Sequence, residues 1–319
     1  ARHPCLLYEA KLYRLLSGGL RVPRVHWHGM ESGCNVMVMD LLGPSLQKLK
    51  MVCGGCLTVP TVLALADQMV SCIQFVHSKG LIHRDMKPDN LVLGVGEKSD
   101  QVHIIDFGLA KRFRNPHTKQ HIAWRQGKSF VGNARFASIS SHLGNEQGRR
   151  DDMEAIGYVL VYLARGDLPW QGLQAETKQK KYERILGMKQ SIPITSLCNG
   201  ELQPIGECLA YARNLSFEAA PSYSCLRSTF SAAARLAGAR GWHELNWPTR
   251  PAPLGAAQRP AQRASGGSPR GWTPRPQESV DDWPEEGVPP TVLSQVRRAT
   301  VSPAAETVSP AAPLGPPVR

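Results

Sequence analysis

The stretch His83-Arg-Asp-Met-Lys-Pro-Asp-Asn90 is followed, fifteen residues after Asn90, by Ile105 and then by Asp106-Phe-Gly108. The first stretch contains a carboxylate, an ammonium group and an amide, and the second begins with a carboxylate. A carboxylate can accept the hydrogen of a hydroxyl group, and side-chain oxygens are the ligands that hard divalent cations prefer. The two stretches therefore predict one polar site to which both contribute.

The order and spacing of these residues resemble the catalytic loop and the metal-binding loop of protein kinases, in which two short strands bring the loops together around one nucleotide. By that resemblance, Asp85 is the catalytic base for a substrate hydroxyl, and Lys87 neutralises charge on the transferred phosphoryl group. Asn90 and Asp106 are then the oxygen ligands of Mg²⁺, which bridges the phosphates of ATP. His-Arg-Asp alone would be weak evidence for a protein kinase, but His-Arg-Asp together with Lys87, Asn90 and Asp-Phe-Gly in this order is specific.

The chain resembles the casein kinase 1 family in particular, over residues 3–247. The Ala-Pro-Glu that usually closes an activation segment is absent, and Ala137-Ser-Ile-Ser140 is similar to the Ser-Ile-Asn variant of this family. Few other kinases share the stretches that carry the resemblance, which are Leu6-Leu-Tyr-Glu-Ala-Lys-Leu-Tyr13, Val38-Met-Asp-Leu-Leu-Gly-Pro-Ser-Leu46, Arg149-Arg-Asp-Asp-Met-Glu154, Leu168-Pro-Trp-Gln-Gly172 and Lys181-Tyr-Glu-Arg184.

The resemblance implies a kinase-like α+β fold with three parts. Residues 1–39 are a remnant of the small lobe, and residues 40–247 form the hinge and a mainly helical large lobe. Residues 248–319 hold fifteen of the chain's 25 prolines and few aliphatic residues, which predicts a disordered tail. Hydrophobic periodicity predicts helices over 6–16, 62–78 and 153–164, and a strand over 35–42.

Four further residues take roles in the nucleotide pocket from the resemblance. Glu9 would pair with the lysine that positions ATP, although an exposed helix carboxylate is the simpler interpretation. Met39 would lie at the back of the adenine pocket, and backbone groups from Asp40 to Leu42 would hydrogen-bond the adenine ring. Asp152 would anchor the catalytic loop.

A substrate site is also implied by the resemblance. Arg135, Gln171, Gly172 and Lys181 fall where the family binds an anion, which selects protein substrates that are acidic or already phosphorylated upstream of the target hydroxyl. The alternative is that the basic residues over 178–184 form a solvated helix face or a nuclear-import patch.

The pattern departs from a complete kinase in two places. Neither a glycine-rich loop nor a Val-Ala-Ile-Lys strand precedes Glu9, because the chain begins at Ala1. We therefore expect a truncated or partial sequence, and we expect the chain as given to be inactive. Asn133 stands where the family has a threonine that bridges the catalytic aspartate and lysine, and asparagine can still donate and accept hydrogen bonds.

Composition limits the compartment and the partners. The sequence contains no run of eighteen apolar residues, so we expect no membrane-spanning helix. Its eight cysteines are scattered, which suits reduced thiols inside the cell, in the cytoplasm or the nucleus. Cys53-Gly-Gly-Cys56 could be half of a zinc site or a redox pair, but no second pair follows at metal-ligand spacing. The net charge of +12 suits acidic partners, and the chain shows no motif for nucleic acid.

The leading hypothesis is a Ser/Thr protein kinase that uses MgATP on acidic or pre-phosphorylated proteins, and we expect a monomer. The alternative is a catalytically inactive kinase-like scaffold that binds protein partners through its large lobe and its tail. The intact set of Asp85, Lys87, Asn90 and Asp106 favours the enzyme for the full-length protein.

Overall fold

A computed structural model describes residues 5–19 and 21–239. The predicted tail over 248–319, and the predicted boundary at residue 247, lie outside the described residues. Within those residues, helices make up most of the regular structure, and short strands form three two-stranded sheets. The mixture agrees with the predicted α+β class.

The bounds of the elements are as follows. The helices are α1 (Cys5–Leu15), α2 (Leu46–Val52), α3 (Val59–Ser78), α4 (Ile139–His142), α5 (Arg149–Arg165), α6 (Lys178–Ser191), α7 (Ile194–Leu197), α8 (Gln203–Asn214) and α9 (Tyr223–Leu236). The strands are β1 (Val25–Glu31), β2 (Cys34–Met39), β3 (Leu81–Ile82), β4 (Leu91–Leu93), β5 (Val102–Ile104) and β6 (Lys111–Arg112).

Helices α3 and α5 form the centre of the core. Most of their residues are buried; α3 packs against α5 and α9, and α5 also packs against α8. The predicted helices over 62–78 and 153–164 are therefore confirmed, but α5 begins earlier, at Arg149. Its polar first turn carries no apolar pattern and is closed instead by Asp151, whose carboxylate accepts a hydrogen bond from the backbone N–H of Gly148 (2.7 Å).

Helix α3 is also long and apolar enough to cross a membrane by length and composition, the one such helix in the part of the chain that the structure describes. Two-thirds of its apolar window is buried inside the protein. A core helix of a globular domain has the same composition for a different reason, namely that other helices cover it on several sides.

The strands β1 and β2 form an antiparallel hairpin against α1. Its turn is Ser32-Gly33, where both residues have positive φ, as the tightest hairpin turns require. The predicted strand over 35–42 ends at Met39, three residues early. The reason is that the chain then leaves the hairpin to meet another sheet, where the N–H of Gly43 donates to the carbonyl oxygen of Leu93 (2.8 Å).

Candidate active site

The catalytic loop, residues 83–90, is held by the buried carboxylate of Asp152 in the first turn of α5. Oδ2 of Asp152 accepts from the backbone N–H of His83 (2.8 Å), and Oδ1 accepts from the backbone N–H of Arg84 (2.8 Å). Arg84 has φ +68°, a left-handed conformation that costs a non-glycine residue about 1 to 2 kcal/mol. Asp152 thus supports a strained residue directly ahead of Asp85, and its anchoring role is confirmed.

Two further side chains extend this support. Nε2 of His77, in α3, donates to Oδ2 of Asp152 (2.9 Å), and the hydroxyl of Tyr223, in α9, donates to Nδ1 of His77 (2.7 Å). We assign these directions because a carboxylate can only accept and because burial raises the pKa of Tyr223, which keeps its hydroxyl proton. We call Asp152, His77 and Tyr223 the buried brace.

Burial affects the charges within the buried brace. Burial lowers the pKa of His77, although Asp152 opposes that shift, so the imidazole is neutral at neutral pH. Burial alone would raise the pKa of Asp152. The hydrogen bonds that it accepts, of which the one from His77 has the largest effect, hold the pKa below its usual range. The brace therefore carries one ionised carboxylate whose oxygens are all matched to donors.

Asp85 itself is oriented by its neighbours in the loop. Its side chain is 6% exposed, and its Oδ2 accepts from Nζ of Lys87 (2.5 Å) and from Nδ2 of Asn90 (3.3 Å). Its Oδ1 accepts no hydrogen bond from the described residues, so that atom is free to accept the hydrogen of a hydroxyl. Burial opposes the charge on Lys87, but the hydrogen bond to Asp85 and the charges of Asp85, Asp106 and Asp89 together outweigh it and raise the pKa of Lys87.

The strands β4 and β5 bring the second motif to the first, as the resemblance implied. They pair antiparallel, Leu91 with Ile104, and the N–H of Ile105 donates to the carbonyl oxygen of Asn90 (3.0 Å). Asp106 follows at once, and its Oδ2 lies 3.9 Å from Nζ of Lys87. The pairing therefore places Asp85, Lys87, Asn90 and Asp106 in one site.

Helix α1 fixes the backbone of the second motif. Asp106 has φ +66°, and its N–H donates to the hydroxyl oxygen of Tyr13 (3.0 Å). The N–H of Phe107 donates to Oε1 of Glu9 (3.2 Å), and the rings of Tyr13 and Phe107 meet edge to face. Burial and the charge of Asp106 raise the pKa of Glu9. Glu9 is therefore a site residue, not an exposed helix carboxylate, and it contacts the metal-binding loop.

The donor set suits a hard divalent cation. Nδ2 of Asn90 is turned towards Asp85, which leaves its amide oxygen as the ligand atom, and the carboxylate of Asp106 is half exposed. No group of three or more His, Cys, Asp or Glu side chains that could hold a metal occurs in residues 5–19 and 21–239. Two oxygen donors match Mg²⁺, which is commonly held by one or two protein ligands together with water and phosphate oxygens.

The predicted hinge joins β2 to β4, the strand that directly follows Asn90, through the hydrogen bond from Gly43 to Leu93. Met39 ends β2 and packs against the core, and the carboxylate of Asp40 is already occupied by the N–H of Arg24 (2.8 Å) and the ring of His26 (2.7 Å). Among the described residues, neither the carbonyl of Asp40 nor the N–H of Leu42 has a hydrogen-bond partner. Their hydrogen bonding to the adenine ring, which the resemblance implied, stays a prediction.

The activation segment reaches the catalytic loop through a glycine. Gly132 has φ +94°, and a Cβ there would lie 2.4 Å from the carbonyl oxygen of Arg84, so no other residue fits without a shift. The next residue, Asn133, accepts at Oδ1 from the N–H of Arg135 (3.0 Å). Its side chain therefore bonds within its own turn, and in the described residues it does not bridge Asp85 and Lys87.

The predicted anion site, Arg135, Gln171, Gly172 and Lys181, is brought together only in part. Trp170 Nε1 donates to the carbonyl oxygen of Arg135 (2.8 Å), which places Arg135 beside the loop of Gln171 and Gly172. Gln171 uses Oε1 to accept from the N–H of Leu168 (3.0 Å). Lys181 lies exposed in the first turn of α6, and no contact among the described residues joins its side chain to the other three.

Sequence reasoning missed four residues that position the site. These are Tyr13, His77, Tyr223 and the fully buried Lys189, whose Nζ donates to the carbonyl oxygens of Ala134 (3.0 Å) and Ala137 (2.5 Å) in the activation segment. Tyr13 could have been found, because it stands four residues after Glu9 and therefore on the same helix face. The other three come from distant helices and leave no local signal.

A comparison with protein families agrees with this geometry. Residues 28–214, more than half of the 319 residues, match the family model described as the protein kinase domain. The matched range contains the catalytic loop, Asp106, Asp152 and the whole predicted anion site. It excludes α1, with Glu9 and Tyr13, and α9, with Tyr223.

Proposed function

This chain belongs to the protein kinase family, and on that premise we propose that the full-length protein transfers the γ-phosphate of MgATP to Ser or Thr of acidic or already phosphorylated proteins, as casein kinase 1 does. The observation that carries the proposal is the single site formed by Asp85, Lys87, Asn90 and Asp106. Phosphoryl transfer depends on positioning and on charge neutralisation, and these residue types supply both.

The reaction can be assigned to the side chains as follows. When bound, MgATP supplies the γ-phosphoryl group and the cation that neutralises the phosphates. Asp85 accepts the hydrogen of the substrate hydroxyl at Oδ1 while Lys87 and Asn90 hold Oδ2. Lys87 also presents its positive charge to the transferred group, and the oxygens of Asn90 and Asp106 would hold the cation.

The substrate class rests on the resemblance and on charge. Arg135 lies half buried beside the Gln171 loop, and Lys181 stands at the start of α6 among other exposed basic residues. A phosphate or a carboxylate of the substrate could draw these groups together, since Arg and Lys both bind such anions. The free thiols of the seven described cysteines support an intracellular location, in the cytoplasm or the nucleus, and we propose a monomer.

The test is phosphate transfer by the purified full-length protein, with the chain as given measured beside it, to an acidic peptide with and without an upstream phosphoserine. We expect Mg²⁺-dependent transfer that Asp85→Asn lowers by about 10²- to 10⁴-fold, because the general base is lost. Asp89→Asn is the matched control, since Asp89 is an exposed carboxylate in the same loop. Nucleotide binding is measured in parallel with a fluorescent ATP analogue, so that loss of transfer and loss of binding are distinguished.

The outcomes separate an enzyme from a scaffold. Transfer that disappears in Asp85→Asn but persists in Asp89→Asn supports catalysis at this site. If the full-length wild-type protein is folded and binds protein partners but transfers no more phosphate than Asp85→Asn, the kinase-like scaffold replaces the enzyme as the best account. Equal rates on the two peptides would refute the preference for phosphorylated substrates but not the kinase activity.

A further inference from the structure

The function proposed above leaves Cys53-Gly-Gly-Cys56 unused. Cys53 directly follows the last residue of α2, and Cys56 lies three residues ahead of α3. Both cysteines are free thiols; Cys53 is partly buried and Cys56 is exposed. The pair is therefore reachable by a solute from outside.

The turn after α2 reverses the chain between the two cysteines. The N–H of Gly54 donates to the carbonyl oxygen of Met51 (3.3 Å), and the N–H of Gly55 donates to that of Lys50 (2.9 Å). Gly54 and Gly55 have φ +78° and +102°, so two consecutive left-handed residues reverse the chain. Only these two glycines separate Cys53 from Cys56, so the reversal keeps the two cysteines near each other in the chain, and burial and then the charge of Cys56 raise the pKa of Cys53.

The loop also has room to adjust. A Cβ at Gly54 or at Gly55 would meet no atom within 4 Å. A disulfide needs its two Cα atoms about 4.4 to 6.8 Å apart. The two glycines can rotate on their open sides towards that distance, whereas the carbonyl oxygen of Gly55 faces Gly166, where a Cβ would lie 2.9 Å from it.

We propose that Cys53 and Cys56 are a redox-active dithiol that forms an intramolecular disulfide by exchange with a low-molecular-weight disulfide. The exposed thiolate of Cys56 attacks one sulfur of the oxidant, a mixed disulfide forms, and the first small thiol leaves. The thiolate of Cys53 then attacks the sulfur of Cys56, the bond between the two cysteines forms, and the second small thiol leaves. The two cysteine protons pass to the two released thiols, and the oxidant is reduced.

The second step responds to pH. Only a thiolate attacks a disulfide, and the raised pKa of Cys53 makes its thiolate scarce at neutral pH. The mixed disulfide at Cys56 should therefore convert to the intramolecular disulfide faster at pH 8.5 than at pH 7.

The loop is linked to the predicted anion site through one ring. Nζ of Lys50 lies 4.2 Å from the centroid of the Tyr162 ring, and the guanidinium carbon of Arg135 lies 5.5 Å from the same centroid. The N–H of Leu57 donates to the carbonyl oxygen of Leu163 (2.8 Å), directly after Tyr162. Closing the disulfide should therefore change KM for a phosphorylated peptide about twofold or more, with kcat unchanged; this consequence, unlike the disulfide, depends on the proposed function.

The experiment treats the whole chain with mixtures of oxidised and reduced glutathione and follows the products by mass spectrometry after acid quenching. After trypsin digestion, we expect the peptide from Met51 to Lys79 to have lost two hydrogen atoms, and we expect treatment with dithiothreitol to restore them. That peptide also contains the buried Cys72, so fragmentation must place the new bond between Cys53 and Cys56. In Cys53→Ser, glutathione should remain attached to Cys56.

Two controls and two contrary results complete the test. Cys34→Ser and Cys225→Ser remove exposed cysteines elsewhere and should leave the disulfide unchanged. The proposal is wrong if glutathione stays on Cys56 of the wild-type chain while Cys53 remains a free thiol, or if Cys56 bonds to another cysteine. If the disulfide forms but KM is the same before and after oxidation, the link to Arg135 is wrong and the redox site stands.

Discussion

The catalytic loop and the predicted anion site differ in how their residues are held. In the catalytic loop, the strained Arg84 is bonded to Asp152, and Asp85 is bonded to Lys87 and Asn90. At the predicted anion site, the backbone of Arg135 bonds to Trp170 and its guanidinium group lies over the Tyr162 ring, but Lys181 is exposed and contacts none of the other three residues.

The difference shows where this protein depends on preorganisation. Buried polar groups must be hydrogen-bonded, and a buried network that is fully bonded adopts one geometry. Exposed basic side chains keep many rotamers and become ordered when an anion arrives. Changes in the catalytic loop should therefore alter stability and rate together, whereas changes at the anion site should alter only substrate affinity.

The largest effect should come from removing the centre of the buried brace. Asp152→Ala leaves the N–H groups of His83 and Arg84 without their acceptor, and we expect a loss of about 3 to 5 kcal/mol in the free energy of unfolding. Urea denaturation measures it. Asp167→Ala, at an exposed carboxylate just after α5, should stay within about 0.5 kcal/mol of the wild type. Similar losses in both variants would show that the brace has no special role.

A second prediction concerns the segment between the two regions, where His142 ends α4. Burial and the charge of Lys189 lower the pKa of His142 from 6.5 to about 4, so the folded protein keeps the imidazole neutral. Below pH 6.5 the unfolded chain binds a proton that the folded protein does not, and stability falls as the pH falls. Between pH 7 and pH 5, His142 should therefore lower the free energy of unfolding by about 2 kcal/mol.

His142→Gln removes that contribution and keeps the neighbouring Lys189, whose pKa burial lowers to about 7. The variant should lose about 2 kcal/mol less stability than the wild type between pH 7 and pH 5, measured by urea denaturation at each pH. The rings of Phe130 and Tyr182 and the ammonium group of Lys189 face His142 and are unchanged in the variant. Parallel pH curves would mean that His142 takes up its proton in the folded protein.

A third prediction tests how far the buried brace extends. Tyr223→Phe removes the hydroxyl that donates to Nδ1 of His77. Because that buried nitrogen is then unpaired, the free energy of unfolding should fall by about 1 to 2 kcal/mol. Phosphate transfer should fall severalfold, since the catalytic loop loses support from α9. Tyr182→Phe is the control, because the Tyr182 hydroxyl has no hydrogen-bond partner in residues 5–19 and 21–239. Unchanged transfer in Tyr223→Phe would limit the brace to His77 and Asp152.

The smallest effect should come from the exposed region. Lys181→Ala should raise KM for a phosphorylated peptide about 3- to 10-fold and leave kcat and stability unchanged, because one exposed contact to a phosphate is lost. Lys178→Ala, one turn earlier on α6, is the matched control. Equal changes in both variants would favour a general basic surface, and a drop in kcat would contradict the contrast between the two regions.

Much of the site could be predicted from the sequence, because its central residues are close in sequence. Asp85, Lys87 and Asn90 lie within one loop, and the strand pair between Asn90 and Asp106 is short enough for the spacing to determine that they meet. The helices over 6–16 and 62–78 were predicted within three residues of their ends, since their apolar residues repeat with the helical period. The polar first turn of α5 was missed because it has no such repeat.

The tertiary structure alone decided most of what holds these residues in place. The resemblance implied that Asp152 anchors the catalytic loop, but His77 and Tyr223 are 146 residues apart, so no local pattern could pair them. It also decided that Glu9 contacts Phe107, that Asn133 bonds within its own turn, and that Lys189 binds the activation segment from α6. The physical reason is burial: the sequence specifies which groups carry charge and hydrogen bonds, and only the packed core determines which of them must find each other because water is excluded.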